Sequence, residues 1–233
     1  HDKRPYASKI YPFPSGVESE HFAQAAHRDA FPRPADIAHI AAPILGYYGV
    51  IDERMDLELI RHLAEAHPEW NIVLVGPVVK IDPQDVPQLP NVHVTGMKTY
   101  EQLPAYLAHF DVALVPFAMN EATRFLSPTK TLEYLAARKP VVSTPIHDVI
   151  ELYGSVVQVG YTPREFTQHV EDALVNAPSA AHEAAVERLL QEYAWDEIAA
   201  RMQRIIRRKY QSIHPHSVVT PGIRPVVSAF SQD

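Results

Sequence analysis

Six short runs of β-branched and other apolar residues are spaced along residues 44–160, and most are separated by windows whose apolar residues recur at helical spacing. This alternation constrains the fold more than any other feature. Strands joined through helical crossovers lie parallel and cannot form a string of hairpins. The runs are 44–49, 71–76, 92–96, 111–116, 140–144 and 156–160. Several are apolar almost without interruption, as strands covered on both faces must be. The pattern predicts an α/β fold built on a doubly wound parallel sheet of about six strands.

The helical windows carry their own punctuation. Leu57, Ile60, Leu63 and Ala64 share one face, and Pro68 ends that stretch. Thr99 and Gln102 have capping-box spacing before 103–110. Ser127 as N-cap and Pro128 as first helical residue open a helix over 129–137. Three more helices are expected at 163–176, 180–193 and 195–210. Residues 1–43 hold six prolines and little periodic signal, which reads as a linker with at most a short helical piece near 21–27, so order is expected to begin at Ile44. Residues 211–233, with Pro215, Pro221 and Pro225, read as a tail.

Composition removes several function classes. The chain of 233 residues has no Cys, which excludes thiolate nucleophiles, disulfides and Cys-ligated metals. A net charge of −7 gives no broad basic field for nucleic acid. No apolar run is long enough for a transmembrane segment, and no signal peptide opens the chain. The thirteen His are scattered, and no Asp-x-Asp occurs, so no metal site is expected. Ser127 lacks the G-x-S-x-G setting of a hydrolase nucleophile. The first residue is His1 and not Met, which reads as the cut end of a longer chain.

A doubly wound sheet binds ligands outside the carboxyl ends of its strands. The segment there with most chemical content runs from Asn120 to Ala137. A polar loop leads into a helix start whose free N–H groups and dipole suit phosphate oxygens. Lys130 in the first turn adds charge beside a diphosphate, and Glu133 one turn on can reach a ribose diol. The same residues also fit a plain capped helix with a solvated Lys130–Glu133 pair. Gly49, which lets backbone approach a ligand, and Arg54, which can pair with phosphate, follow the first strand. Gly96-Met97-Lys98 is by default a plain turn whose backbone could read a base edge.

The stretch Ser127-Pro128-Thr129-Lys130-Thr131-Leu132-Glu133-Tyr134-Leu135-Ala136-Ala137-Arg138-Lys139-Pro140-Val141-Val142 resembles the S-P-x-K-x-x-E-Y-L-A-A-G-K-P-V-V block of GT-B glycosyltransferases of the group 1 (family 4-like) type. Further pieces agree in order: Pro14-Ser15-Gly16-Val17 with the linker into the family's second domain, Leu45-Gly46-Tyr47-Tyr48-Gly49 with its first strand and turn, and Trp195-Asp196 with its last helix. The resemblance covers about residues 12–210. It implies a Rossmann-like C-terminal half of a GT-B fold, with an acceptor-binding domain expected upstream of residue 1.

The resemblance also implies roles. Glu133 matches the Glu that contacts ribose hydroxyls. Ser127, Pro128, Thr129 and Lys130 match the diphosphate cradle, Gly49 and Arg54 lie on its other side, and Met97 and Lys98 fall where backbone groups meet the base. Many relatives carry a second Glu eight residues before the ribose Glu. That position is Phe125 here, and Glu121 is the candidate counterpart if the loop carries an insertion. Lys130, Arg54 and Glu121 are thus the catalytic candidates. The implied reaction is metal-independent transfer from a UDP-sugar or GDP-sugar donor, with no separate cofactor, to a glycan or lipid-linked glycan. The implied setting is cytoplasmic, with peripheral attachment at the inner face of the membrane in the full-length protein. This chain alone is expected to be inactive. Other readings are a non-catalytic nucleotide- or sugar-binding module of the same fold and a GT-B nucleotide-sugar epimerase.

Overall fold

The computed structural model describes residues 10–214. Six parallel strands form one sheet in the order β3-β2-β1-β4-β5-β6. They are β1 (Ile44–Tyr48), β2 (Asn71–Val75), β3 (Val92–Gly96), β4 (Val112–Val115), β5 (Val141–Ser143) and β6 (Gln158–Val159). Each expected run contains a strand; β3 fills its run, β1 and β2 stop one residue short, and the other three are trimmed at both ends. β1, β4 and β5 are buried along their whole length, which matches their unbroken apolar sequence. The order reverses between β1 and β4, so the crevice at their carboxyl ends is the topological switch point.

Eight α-helices surround the described sheet: α1 (Ser19–Ala23), α2 (Leu57–Ala66), α3 (Leu103–Ala108), α4 (Lys130–Ala136), α5 (His147–Tyr153), α6 (Pro163–Val175), α7 (Ala180–Glu192) and α8 (Trp195–Ile213). In α2 three of the four residues of the expected apolar face, Ile60, Leu63 and Ala64, are buried; Leu57 is half-buried and Leu59 is buried in addition. Asp56 caps it by accepting from the Leu59 N–H at 2.9 Å. Helix α5 has no counterpart in the sequence reading. Its seven residues bury only Val149 and Tyr153, too few to register as a period. The start of α4 also differs from expectation. Ser127 is exposed and does not cap it, and the helix begins at Lys130 after a tight turn closed by Thr131 N–H to Pro128 O at 3.2 Å. No helix among the described residues is long and apolar enough to cross a membrane.

The expectation that order begins at Ile44 is corrected. Val17, Phe22, Ala25, Ile37 and Ile40 are buried in the same core as the sheet. The Val17 N–H donates to Tyr193 O at 3.0 Å, which ties this segment to the turn between α7 and α8. Arg28 pairs with Asp111 at 2.7 Å, and the other Asp111 oxygen accepts the Ile44 N–H at 2.8 Å. Single apolar anchors separated by prolines carry no period, which is why the segment reads as a linker. Most of the expected tail, residues 215–233, and residues 1–9 lie outside the described residues.

Phe22 is 1% exposed. Phe22→Ala is expected to cost about 3–5 kcal/mol in denaturant unfolding, the range for emptying a packed aromatic site. A loss below about 0.5 kcal/mol, as on a free linker, would show that the segment is not part of the core.

Candidate functional site

The site is assembled where the turn after β1 meets the loop after β4. Two glycines make the turn possible. Gly49 has φ +139° and Gly76, after β2, has φ +153°. A Cβ on Gly76 would lie 1.9 Å from Gly49 O, so the two backbones meet where no side chain fits. A Cβ on Gly49 would stand 3.0 Å from Lys130 Cε and 3.1 Å from Nζ. The bare Gly49 backbone is therefore one wall of a niche holding the Lys130 side chain.

Beyond Gly49 the chain is stitched to the loop after β4. The Asp56 N–H donates to Pro116 O and the Ala118 N–H to Arg54 O, both at 2.8 Å. The loop then folds on itself: Asn120 Oδ1 accepts the Ala122 N–H at 2.9 Å, and the buried Thr123 donates its hydroxyl to Ala118 O. Leu126 and Pro128 point inward and bring the chain back to α4.

Lys130 lies against an edge-to-face pair of aromatic rings. Its Nζ lies 5.3 Å from the ring centroid of Tyr47 and 5.3 Å from that of Phe117, both buried. The ring faces offer some cation–π attraction, but they also keep water away. Burial pulls the ammonium down to about 8. The Glu133 carboxylate works against that shift, and the Arg54 guanidinium adds to it.

Glu133 faces the opposite balance. Burial raises its carboxyl, while the Tyr48 hydroxyl, Lys130 and His21 favour the ionised form. The Tyr48 hydroxyl donates to Glu133 Oε2 at 2.5 Å. Tyr48 is fixed in turn. It is 4% exposed, its N–H donates to the Tyr134 hydroxyl at 3.0 Å, and the two rings meet edge to face at 4.8 Å. On the outer side, His21 of α1 stacks on Tyr100 with centroids 4.2 Å apart, and the Tyr100 hydroxyl reaches Glu18 at 3.2 Å.

Other expected residues are placed less simply. Arg54 stands beside the niche with its charge already matched. It grips the buried Asp52 at 2.9 Å and 3.0 Å through Nε and at 2.7 Å through Nη2. Burial alone would raise the Asp52 carboxyl, and these bonds outweigh it and hold it low. Arg54 with Asp52 is thus close to a neutral unit, not the free cation the sequence suggests. Lys98 is committed away from the cleft, paired with Asp36 at 2.8 Å and bonded to Thr95 O at 2.9 Å. Met97 is 77% exposed at the lip of β3. Ser127 and Thr129 are exposed and Pro128 is buried. The Glu121 side chain is 88% exposed, 3.6 Å from Arg124, and not gathered with Lys130 and Glu133.

Sequence reasoning missed Tyr47, Tyr48, Phe117, Asp52 and the His21–Tyr100 pair. Asp52 two residues before Arg54 in a strand-to-helix turn was a readable signal. The aromatic walls were not, because they come together only in the folded chain.

Comparison with known proteins agrees with this architecture. The family described as "Glycosyl transferases group 1" matches residues 42–192. A provisionally named teichuronic acid biosynthesis glycosyltransferase, TuaH, of Bacillus subtilis (strain 168) is 31% identical over 139 residues, 58% of this chain and 34% of that protein. The sucrose-phosphate synthase of Thermosynechococcus elongatus superposes with a TM-score of 0.63 at 17% identity, covering 90% of this chain and 56% of that one. A UDP-forming α,α-trehalose-phosphate synthase from Burkholderia vietnamiensis gives 0.62 at 16% identity, over 86% and 54%. A trehalose-6-phosphate protein from E. coli, bound with UDP-2-fluoro glucose, gives 0.56 at 16% identity, over 84% and 50%. The chain spans about a third of the curated relative and about half of these solved structures.

A cation held out of water is a cost when nothing faces it. Lys130→Met, which keeps the stem and removes the charge, is expected to stabilise the protein at pH 7 by on the order of 1–3 kcal/mol. The folded-state value near 8 lies below that of a free lysine, so the wild type carries the penalty in full below pH 8. It sheds the penalty as pH rises toward 10.5. Denaturant unfolding of both proteins from pH 7 to 10 should show the gap closing, and a gap constant with pH would contradict the buried charge.

Proposed function

The chain belongs to the group 1 glycosyl transferases, and on that footing we propose that it is the donor-binding part of an enzyme moving a sugar from a nucleoside-diphosphate sugar to an acceptor. The observation that carries the reading is Lys130. Its ammonium is drawn partly out of water, beside bare backbone at Gly49, at the switch point where such sheets bind ligands. A diphosphate brought to that niche would relieve the cost of the buried charge. The interaction therefore strengthens as negative charge grows on the leaving group.

In transfer, the bond between the donor's anomeric carbon and the β-phosphate oxygen breaks, and its electron pair stays on the diphosphate. The acceptor hydroxyl oxygen forms the new bond to that carbon, and its proton passes to the departing diphosphate. Lys130 stabilises the departing diphosphate. Asp52 offsets most of the Arg54 charge, so Arg54 acts mainly by shaping the Gly49 turn. Glu133 accepts from the ribose hydroxyls, and the backbone at Met97 and Lys98 faces the base. Ser127, Pro128 and Thr129 line the approach to the diphosphate. Glu121 has no partner tying it to this cluster and is assigned no step. UDP is the first nucleotide to test, since a neighbour of this fold carries UDP-2-fluoro glucose. The acceptor is a glycan or lipid-linked glycan held by another part of the full-length enzyme, which works in the cytoplasm at the inner face of the membrane when its acceptor is a lipid.

Calorimetric titration with UDP, GDP and ADP is expected to find one diphosphate that binds. Lys130→Ala and Glu133→Ala should each weaken it about 10- to 100-fold, as expected for lost hydrogen bonds to charged groups. Wild-type affinity in both variants would overturn the site. A bound diphosphate raises the Lys130 proton affinity above its free value near 8. Between pH 7 and 8 the affinity should be nearly level. Above 8 it should fall by up to about tenfold per pH unit, with proton uptake on binding. Lys130→Met should abolish that slope.

A further inference from the structure

We infer that Tyr48 is the positioning residue for ribose recognition: its hydroxyl locks one oxygen of Glu133 and leaves the other aimed at the nucleotide. The inference rests on the donor-site reading above and adds to it a residue which that reading does not require.

The geometry is specific. Tyr48 is the last residue of β1, one position before the Gly49 turn, and its side chain reaches across to α4. The O···O distance to Glu133 Oε2 is 2.5 Å, at the short end for a hydroxyl on a charged acceptor. The phenol is held above its ordinary titration range by burial, so its proton stays on and the bond has one direction: Tyr48 donates, Glu133 accepts. A carboxyl group accepting there must carry any proton on its other oxygen or none at all. Burial favours that proton, and the Tyr48 hydroxyl disfavours it.

The rest of Tyr48 is immobile. Tyr134 meets its ring edge to face, Phe22 lies nearly parallel to it at 6.3 Å, and its backbone N–H is spent on Tyr134. A carboxylate with one oxygen fixed to so rigid a donor has little freedom at its last torsion. It is preorganised to accept, and cannot rotate away when a sugar hydroxyl arrives.

The readout is ribose selectivity, which a loss of packing alone would not change. UDP and GDP, each with its 2′-deoxy and 3′-deoxy counterpart, are titrated into the wild type, Tyr48→Phe, Glu133→Ala and the double variant. The wild type should prefer the ribonucleotide over at least one deoxy analogue by about 10-fold or more, as for a hydrogen bond to a charged group. Tyr48→Phe, which keeps the ring and its packing, should reduce that preference to within about 3-fold while still binding the deoxy nucleotide. In the Glu133→Ala background, Tyr48→Phe should change nothing further, because the two act as one unit.

A wild-type preference that survives in Tyr48→Phe overturns the positioning role and leaves the donor site standing. So does an equal loss for ribo- and deoxynucleotides. Absence of any preference in the wild type overturns the Glu133 assignment and the inference with it. Thermal melting of Tyr48→Phe checks that the fold is retained, and a collapsed melt moves the comparison to Tyr48→Leu with the same selectivity criterion.

Discussion

A half-buried lysine ammonium set against an edge-to-face pair of buried aromatic rings is the interaction around which the upper end of this sheet is arranged. Lys130 sits against Tyr47, Phe117 and the bare backbone of Gly49. Each wall comes from a different element, and each element is fixed elsewhere for reasons unrelated to the lysine. Gly49 is held by its contact with Gly76, Tyr47 by its place in a fully buried strand, and Phe117 by the bonds joining its loop to the turn after β1. The protein therefore carries a standing electrostatic cost, which is how a fold stores the capacity to bind an anion tightly.

Charge around the niche is graded. Arg54 and Asp52 cancel within a single turn and form a stiff neutral bracket. Lys98 and Asp36 cancel at the far lip. Lys130 and Glu133 are the pair whose environments push them in opposite directions, one cation lowered and one carboxyl raised, both chiefly by burial. Such opposed pairs mark positions where protonation responds to what binds. Only eight glycines occur in the chain, so a glycine-rich phosphate loop was never available to it. The cluster has instead one pair of facing glycines and one half-buried cation.

The sheet and most helices were legible because burial on two faces writes an unbroken apolar run, and burial on one face writes a helical period. Where burial is confined to isolated residues, nothing is written. Phe22, Ile37 and Ile40 are core residues that stand alone among prolines, and α5 secures itself with two side chains. Within the candidate site, Lys130 and Glu133 were legible from their spacing at a helix start. The state of Arg54 was half legible, since its partner lies two positions away. Tyr48 and Tyr134 were not, because residues 86 apart in sequence meet only where β1 and α4 come together in the folded chain.

The N-terminal segment changes what counts as the site. Helix α1 packs on α4 and carries His21 to the edge of Glu133, where it stacks on Tyr100. Glu18, just before α1, reaches the same tyrosine. The outer side of Glu133 is thus bordered by residues that precede the first strand together with Tyr100, which follows β3. The same short segment is pinned at Val17 to the turn between α7 and α8. Two ends of the described chain therefore converge on a strap that borders Glu133. The strap meets the surroundings of Glu133 at two places, through the His21–Tyr100 stack and through Phe22, which lies against Tyr48. The strap and β1 thus act together to hold Glu133, while Lys130 is held by a separate set of neighbours, Tyr47, Phe117 and Gly49.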